Sequence, residues 1–186
     1  MTVQARRITP AVIWTWARFE ALSGGDVYDF LALRSEVFVV EQGCPFLDAD
    51  GCDRDAWHLL GRIEAGCEAN RDVSGDPSSS RSAPLAAYLR CLDPGVKYQE
   101  PSIGRVIVAP SYRGTGLGRT LMREGIARTR AQWLGTDIMI SAQLRLEGFY
   151  ASLDFHGEGS PYIEDGIDHV EMRLTSTNTR LGEKQR

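Results

Sequence analysis

A chain of 186 residues, 42% apolar and 25% charged, is long enough to bury a real hydrophobic core in one domain. Its formal net charge of −4 argues against nucleic acid as a partner, since such proteins carry a basic excess on one face. No stretch approaches the ~18 apolar residues a membrane span needs, and the two arginines in Met1–Pro10 precede no apolar run, so neither a signal peptide nor a membrane partner is expected. A cytoplasmic location follows as the expectation. The cysteines (Cys44, Cys52, Cys67, Cys91) contain no C-x-x-C pair, and His58, His156 and His169 are scattered. That is the pattern of reduced thiols, and no metal is expected.

In chain order, the aromatic run Trp14–Phe19 reads as a first strand. Asp26–Phe38 follows a Gly-Gly break and places Val27, Phe30, Leu31, Val37 and Phe38 at helical spacing. Gly43–Asp55 carries Asp48, Asp50, Asp53 and Asp55 and reads as an acidic loop, either solvated or able to attract a cationic amine. Trp57–Ile63 and Pro84–Leu92 read as strands, and Ala65–Ala83 between them as a long polar insertion in a hairpin. Ser102–Ala109 is β-branched and stops at Pro110. A helix follows from about Gly116 to Gln132, then a strand Asp137–Ser141 and a helix Leu144–Leu153 with Leu146, Phe149, Tyr150 and Leu153 on one stripe. Ile167–Leu174 is a last strand and Thr175–Arg186 a polar tail, so residues 1–174 form the single expected domain. The mixture predicts an α/β (α+β) protein built on one mixed sheet rather than a doubly wound one.

Between the strand and the long helix stands Arg113-Gly114-Thr115-Gly116-Leu117-Gly118. Glycines let backbone approach a ligand closely, and a helix N-terminus offers unpaired N–H groups and the positive end of the dipole, which suits a diphosphate. The dinucleotide pattern G-x-G-x-x-G fails in both frames, ending on Arg119 or on Leu121, and a phosphate-binding P-loop lacks its Lys. A plain tight turn that packs helix on strand is the bland alternative.

The R-x-x-G-x-G spacing of Arg113, Gly116 and Gly118 resembles the pyrophosphate loop of the GNAT acetyltransferase superfamily. The ordered segments Val37–Gln42, Cys44-Pro45-Phe46, His58-Leu59, Ile103–Val106, Ala142-Gln143, Phe149-Tyr150 and Glu164–Ile167 resemble its ElaA-like branch, from about Trp14 to Leu174. Two departures stand out: the Ala65–Ala83 insertion is long, and Asp154-Phe155 occupies the place of a usual Gly-Phe.

The resemblance implies a mostly antiparallel sheet of six to seven strands, flanked by helices and splayed between the fourth and fifth. It implies acetyl-CoA as cosubstrate, its pantetheine arm pairing with backbone of Val106, Ile107 and Val108 and its diphosphate held by Arg113, Gly114, Thr115, Gly116, Leu117 and Gly118. Arg119, and Arg123 one turn on, could meet a coenzyme phosphate. A backbone N–H near Val108 would polarise the thioester carbonyl. An amine of a small molecule or peptide would attack directly in a ternary complex, with Tyr150 as acid for the departing thiolate. Glu41 is the expected base, ahead of Glu100, His58, His169 and a chain of waters in place of a side chain. A non-catalytic acyl-CoA-binding module is the alternative, and a homodimer the default assembly.

Overall fold

A computed structural model describes residues 11–64 and 83–176. The first ten residues, Cys67, all of the expected insertion but Ala83, and all of the tail but Thr175 and Ser176 lie outside the described residues. Within them, β1 (Val12–Arg18), β2 (Trp57–Ile63), β3 (Leu85–Leu92), β4 (Ser102–Val108), β5 (Ile138–Gln143), β6 (His156–Glu164) and β7 (Ile167–Leu174) form one sheet in the order β1-β2-β3-β4-β5-β7-β6. Every neighbouring pair is antiparallel except β4 and β5, which are parallel. This is the mixed, mostly antiparallel sheet the sequence led us to expect, with seven strands.

Helices cover both faces. On one, α2 (Leu117–Gln132) buries Leu117, Leu121, Met122 and Ile126 against Leu59, Leu89, Cys91, Ile103, Ile138 and Ile140. Gly125 lets the helix pack closely there, because a Cβ on it would sit 2.6 Å from Leu89 Cδ2 and would force that buried side chain to shift. On the other face α1 (Gly24–Arg34) buries Phe30 and Leu33, with Val37 just beyond it, against Leu60, Tyr88 and Ile107.

Local chemistry moves three boundaries away from the sequence expectation. Helix α1 begins at Gly24, because Ser23 caps it: Ser23 Oγ accepts from the Asp26 N–H (3.1 Å) while the Asp26 carboxylate accepts from the Ser23 N–H (3.1 Å). The glycine pair is therefore the first turn, not a break. The helix also runs past Phe38 as a π-helical turn, Ser35–Glu41, closed by Gln42 N–H donating to Val37 O at 3.1 Å. In place of a helix over Leu144–Leu153 there is a 3-10 turn, Leu144–Leu146, and a short α3 (Glu147–Ala151); Leu146 is exposed, whereas Tyr150 and Leu153 are buried. The strand β6 was not expected at all. Its run HGEGSPYIE lies mostly exposed at the sheet edge and shows no apolar alternation.

Three of the four aspartates of the acidic loop, Asp48, Asp50 and Asp53, are taken up by arginines, while Asp55 stays exposed. Arg34, with 0% exposure, donates to Asp48 (2.7 Å) and Asp53 (2.6 Å), and Arg90 donates to Asp53 (2.8 Å) and Asp50 (2.6 Å). Arg105 adds ion pairs to Asp48 (2.9 Å) and Asp50 (3.1 Å). Burial pushes the Asp53 carboxyl up, but the hydrogen bonds from Arg34 and Arg90 outweigh it and hold it below its ordinary range. These contacts fasten the loop to α1, β3 and β4.

Candidate active site

Strands β4 and β5 meet at one register position, Ser102 opposite Met139, where the Met139 N–H donates to Pro101 O at 3.0 Å. Beyond it they separate, and the cause lies in β4. Tyr88 and Arg90 of β3 pair with Ile107 and Gly104, so the single Leu89 opposes both Arg105 and Val106. That is a β-bulge, and Arg105 sits in it with φ +51°. A non-glycine residue in the left-handed region costs about 1–2 kcal/mol. The ion pairs of the Arg105 guanidinium with Asp48 and Asp50 hold it in place.

The bulge sets which backbone groups face the gap. Ala109 N–H donates to Ala86 O (2.9 Å) on the β3 side, so alternation turns the N–H and C=O of Val108 and Val106 toward β5. Ile107 turns its backbone to β3 and its side chain into the α1 core. Of the three residues expected to pair with pantetheine, Val106 and Val108 thus present groups to the gap and Ile107 does not.

The open strand leads through a 3-10 turn, Pro110–Tyr112, into the glycine loop. Gly114 and Gly116 take φ +73° and +87°, which side chains rarely adopt. Gly116 caps α2 without a side chain, and the first turn contains no acid. Its carbonyl accepts from Arg119 N–H (3.1 Å) and Thr120 N–H (3.3 Å), while the N–H groups of Leu117 and Gly118 have no acceptor within the helix. Leu117 is buried and anchors the turn, Gly118 lies against Val108, and Thr115 Oγ1 donates to Tyr112 O at 2.7 Å. The loop therefore gathers backbone donors at the positive end of a 16-residue helix.

Three charged side chains expected at the site are engaged. Arg113 donates through Nη1 and Nη2 to both oxygens of Glu41 (2.8 and 2.9 Å) and through Nε to Val108 O (3.1 Å). Those bonds hold the Glu41 carboxyl below its ordinary range. Arg119 donates to Ser152 O (3.2 Å) and Ser152 Oγ (2.9 Å), with its guanidinium 5.9 Å from the Phe149 ring. Arg123 is exposed one turn further on.

Tyr150, on α3, is 7% exposed and edge-on to Phe149 (5.1 Å) and Phe155 (6.1 Å). Its hydroxyl makes no hydrogen bond among the described residues. Burial pushes its pKa up to about 12, so the phenol keeps its proton through neutral pH. Just after α3, Asp154 takes φ +67°. The left-handed position that a Gly-Phe pair would fill with glycine is kept here by an aspartate.

Two of the alternative bases are structural. His58 has 0% exposure, and both ring nitrogens are engaged, Nε2 with Asp53 O (2.8 Å) and Nδ1 with the Tyr88 hydroxyl (2.8 Å). Burial pushes its pKa down. Glu100 accepts from Arg173 at 2.5 Å. The sequence reading missed the bulge at Arg105 and the Gln143 to Gln42 bond (3.0 Å) that ties the open end of β5 to the π-helical turn. The adjoining Gly104-Arg105 offers no pattern that announces a bulge.

Residues 88–176 match the family model of the acetyltransferase (GNAT) domain. The chain is 41% identical to a UPF0039 protein of Synechocystis sp. over 159 residues, 86% of this chain and 92% of that one. The crystal structure of an acyl-CoA N-acyltransferase from Pseudomonas aeruginosa matches with a TM-score of 0.75 and 35% identity, covering 89% of this chain and 100% of that one. The crystal structure of Escherichia coli ElaA matches with a TM-score of 0.72 and 33% identity, covering 88% and 99%. Among the described residues no helix is long and apolar enough to cross a membrane, and no three His, Cys, Asp or Glu side chains gather as metal ligands. With its split sheet and uncapped helix, the chain belongs to the GNAT acetyltransferase family and is ElaA-like, with the fold of acyl-CoA-dependent acyl transfer.

Proposed function

We propose that the protein is an N-acetyltransferase that passes the acetyl group of acetyl-CoA to an amine by direct attack in a ternary complex. The observation that carries this reading is the continuity of donors. The backbone groups that Val106 and Val108 turn to the gap, with Val108 O alone already bonded by Arg113 Nε, run straight into a loop whose glycines lead to an uncapped helix. An extended amide-bearing arm fits the first as an added strand would, and a diphosphate fits the second.

The chain's own groups then divide the chemistry. Val108 N–H would donate to the thioester oxygen as it gains charge. The amine nitrogen forms its bond to the carbonyl carbon, the C–S bond breaks, and the Tyr150 hydroxyl supplies the proton that the sulfur takes. With its pKa near 12, Tyr150 is in the donor form wherever the amine is reactive. Glu41, paired with Arg113 at the loop, is better suited to hold the loop than to accept a proton.

Calorimetry with acetyl-CoA, and with NADH and ATP as controls, tests the reading. Acetyl-CoA should bind and the controls should not. Gly116→Asp, which adds a side chain at φ +87° and a negative charge at the diphosphate position, should abolish binding in folded protein. A folded wild type that ignores acetyl-CoA would return the loop to a tight turn.

A further inference from the structure

The face of the sheet that carries α1 continues over β5, β7 and β6, none of which contributes to the α1 core. Ile138, Ile140 and Ala142 of β5 pack on the α2 side, so Ser141 and Gln143 project to the α1 side. Across the ladders Ser141 stands opposite Glu171, Gln143 opposite His169, and His169 opposite Tyr162. These polar residues share one face. Gln143 ends β5 four residues beyond the Met139 contact, so His169 stands at the open end of the gap.

The half-buried His169 has its Nδ1 2.9 Å from Ile167 O. A carbonyl only accepts, so Nδ1 carries the hydrogen and the neutral ring keeps its lone pair on Nε2. No described residue bonds to Nε2. The ring is steadied by Tyr162, 6.2 Å away at 31°. Tyr162 and Glu164 face it from β6, with Glu164 bonded to Ser141 (2.8 Å) and paired with Lys97 (3.3 Å) beside Tyr98. From β5 come Ser141 and Gln143, the latter bonded to Arg145 (2.8 Å), and from its own strand Asp168 and Glu171. Of the four bases named from the sequence, His58 has both nitrogens bonded, Glu100 is held by Arg173 and Glu41 by Arg113. His169 offers a directed lone pair.

We infer that His169 is the general base of the transfer reaction, a step that rests on the proposed acetyltransferase function. As the amine nitrogen bonds to the carbonyl carbon and the C–S bond breaks, one amine proton moves to Nε2 and the sulfur takes the proton of Tyr150. The imidazolium then returns its proton through solvent, restoring the phenol. Ile167 O keeps the ring in the tautomer the step needs.

The test uses the full chain, acetyl-CoA, and a panel of primary amines: an alkylamine, free amino acids, a polyamine, an aminoglycoside and a peptide with a free N-terminus. For the wild type, kcat/KM divided by the fraction of free amine should still fall about tenfold per pH unit on the acid side. His169→Gln should lower kcat about a hundredfold or more at pH 8 and remove that limb, with acetyl-CoA affinity unchanged. Nitrogen NMR of the wild-type ring should show hydrogen on Nδ1, a readout independent of any variant's folding. An unaltered rate and limb in His169→Gln, or hydrogen on Nε2 of the neutral ring, would overturn the inference while leaving the coenzyme site intact. Acetyl-CoA binding with no amine acetylated overturns it together with the catalytic reading. Absence of acetyl-CoA binding is the distinct failure of the glycine-loop reading, and removes the reaction His169 would serve.

Discussion

The arginine–aspartate network under α1 and the β4–β5 gap both depend on Arg105, yet they handle polar groups in opposite ways. In the network, three guanidiniums and three carboxylates are matched within 3.1 Å, largely away from solvent. In the gap, backbone N–H groups of two strand residues and a helix start are left without acceptors among the described residues. Matched buried charges lock a geometry in place, whereas unmatched donors in an ordered frame wait for a ligand. The difference separates the residues that shape this site from those that would act in it.

The largest expected effect comes from breaking the network. Asp53→Ala strips Arg34 and Arg90 of a shared carboxylate and leaves two buried charges short of a partner. Urea unfolding should show a loss of about 3–5 kcal/mol. A loss below about 1 kcal/mol would mean that water already screens the network and that it does not lock the bulge. Next in size, Tyr150→Phe keeps the buried ring and removes only the hydroxyl, so kcat should fall about a hundredfold or more while acetyl-CoA affinity stays within about twofold. A rate unchanged by the substitution would move Tyr150 from the reactive side of the comparison to the structural side.

Acid sharpens the contrast further. His58 is held neutral in the fold with its pKa depressed below 6.5, so the unfolded chain binds the extra proton. Stability contributed by this group is present above pH 6.5 and lost as pH falls toward the folded value, by at most about 1.4 kcal/mol per pH unit. Asp50 and Asp53, also depressed, lose theirs only below about pH 4. Urea midpoints at pH 7.5, 6.0 and 5.0 should decline for the wild type before Asp50 and Asp53 take up protons. His58→Gln, whatever its starting stability, should flatten that interval.

Smallest of all, Asp154→Gly should relieve a left-handed backbone at φ +67° and raise stability by up to about 1 kcal/mol, less what the freer unfolded chain takes back. A melting temperature below that of the wild type would show that the aspartate side chain is needed where it stands.

The glycine loop, the β4 strand and the α2 helix were legible because each is specified locally, by φ-permissive residues, β-branching and 3.6-residue spacing. Tyr150 was legible as a position, and its place on the apolar stripe already pointed to the burial it shows. The network was hidden because Arg34, Arg90 and Arg105 lie far along the chain from the acidic loop, and sequence spacing cannot pair charges that only tertiary packing brings together. Strand β6 was hidden for another reason. An exposed edge with Gly159 and Pro161 has no core side to alternate against. The tautomer of His169 depends on one carbonyl two residues away, which no motif encodes.

The surplus residue in β4 also resets the count along the strand. Ile103 faces α2, and so do Val106 and Val108, although an uninterrupted strand would send 103 and 106 to opposite sides. Omitting Arg105 alone would leave Ile103, Gly104, Val106, Ile107 and Val108 alternating without a break, every side chain still on the face it now occupies. Nothing in the packing of the two cores therefore demands the extra residue. Its effects are to bend the edge of β4 outward and to carry the guanidinium that pairs with Asp48 and Asp50, so the one residue that opens the sheet also tethers the loop beside the opening.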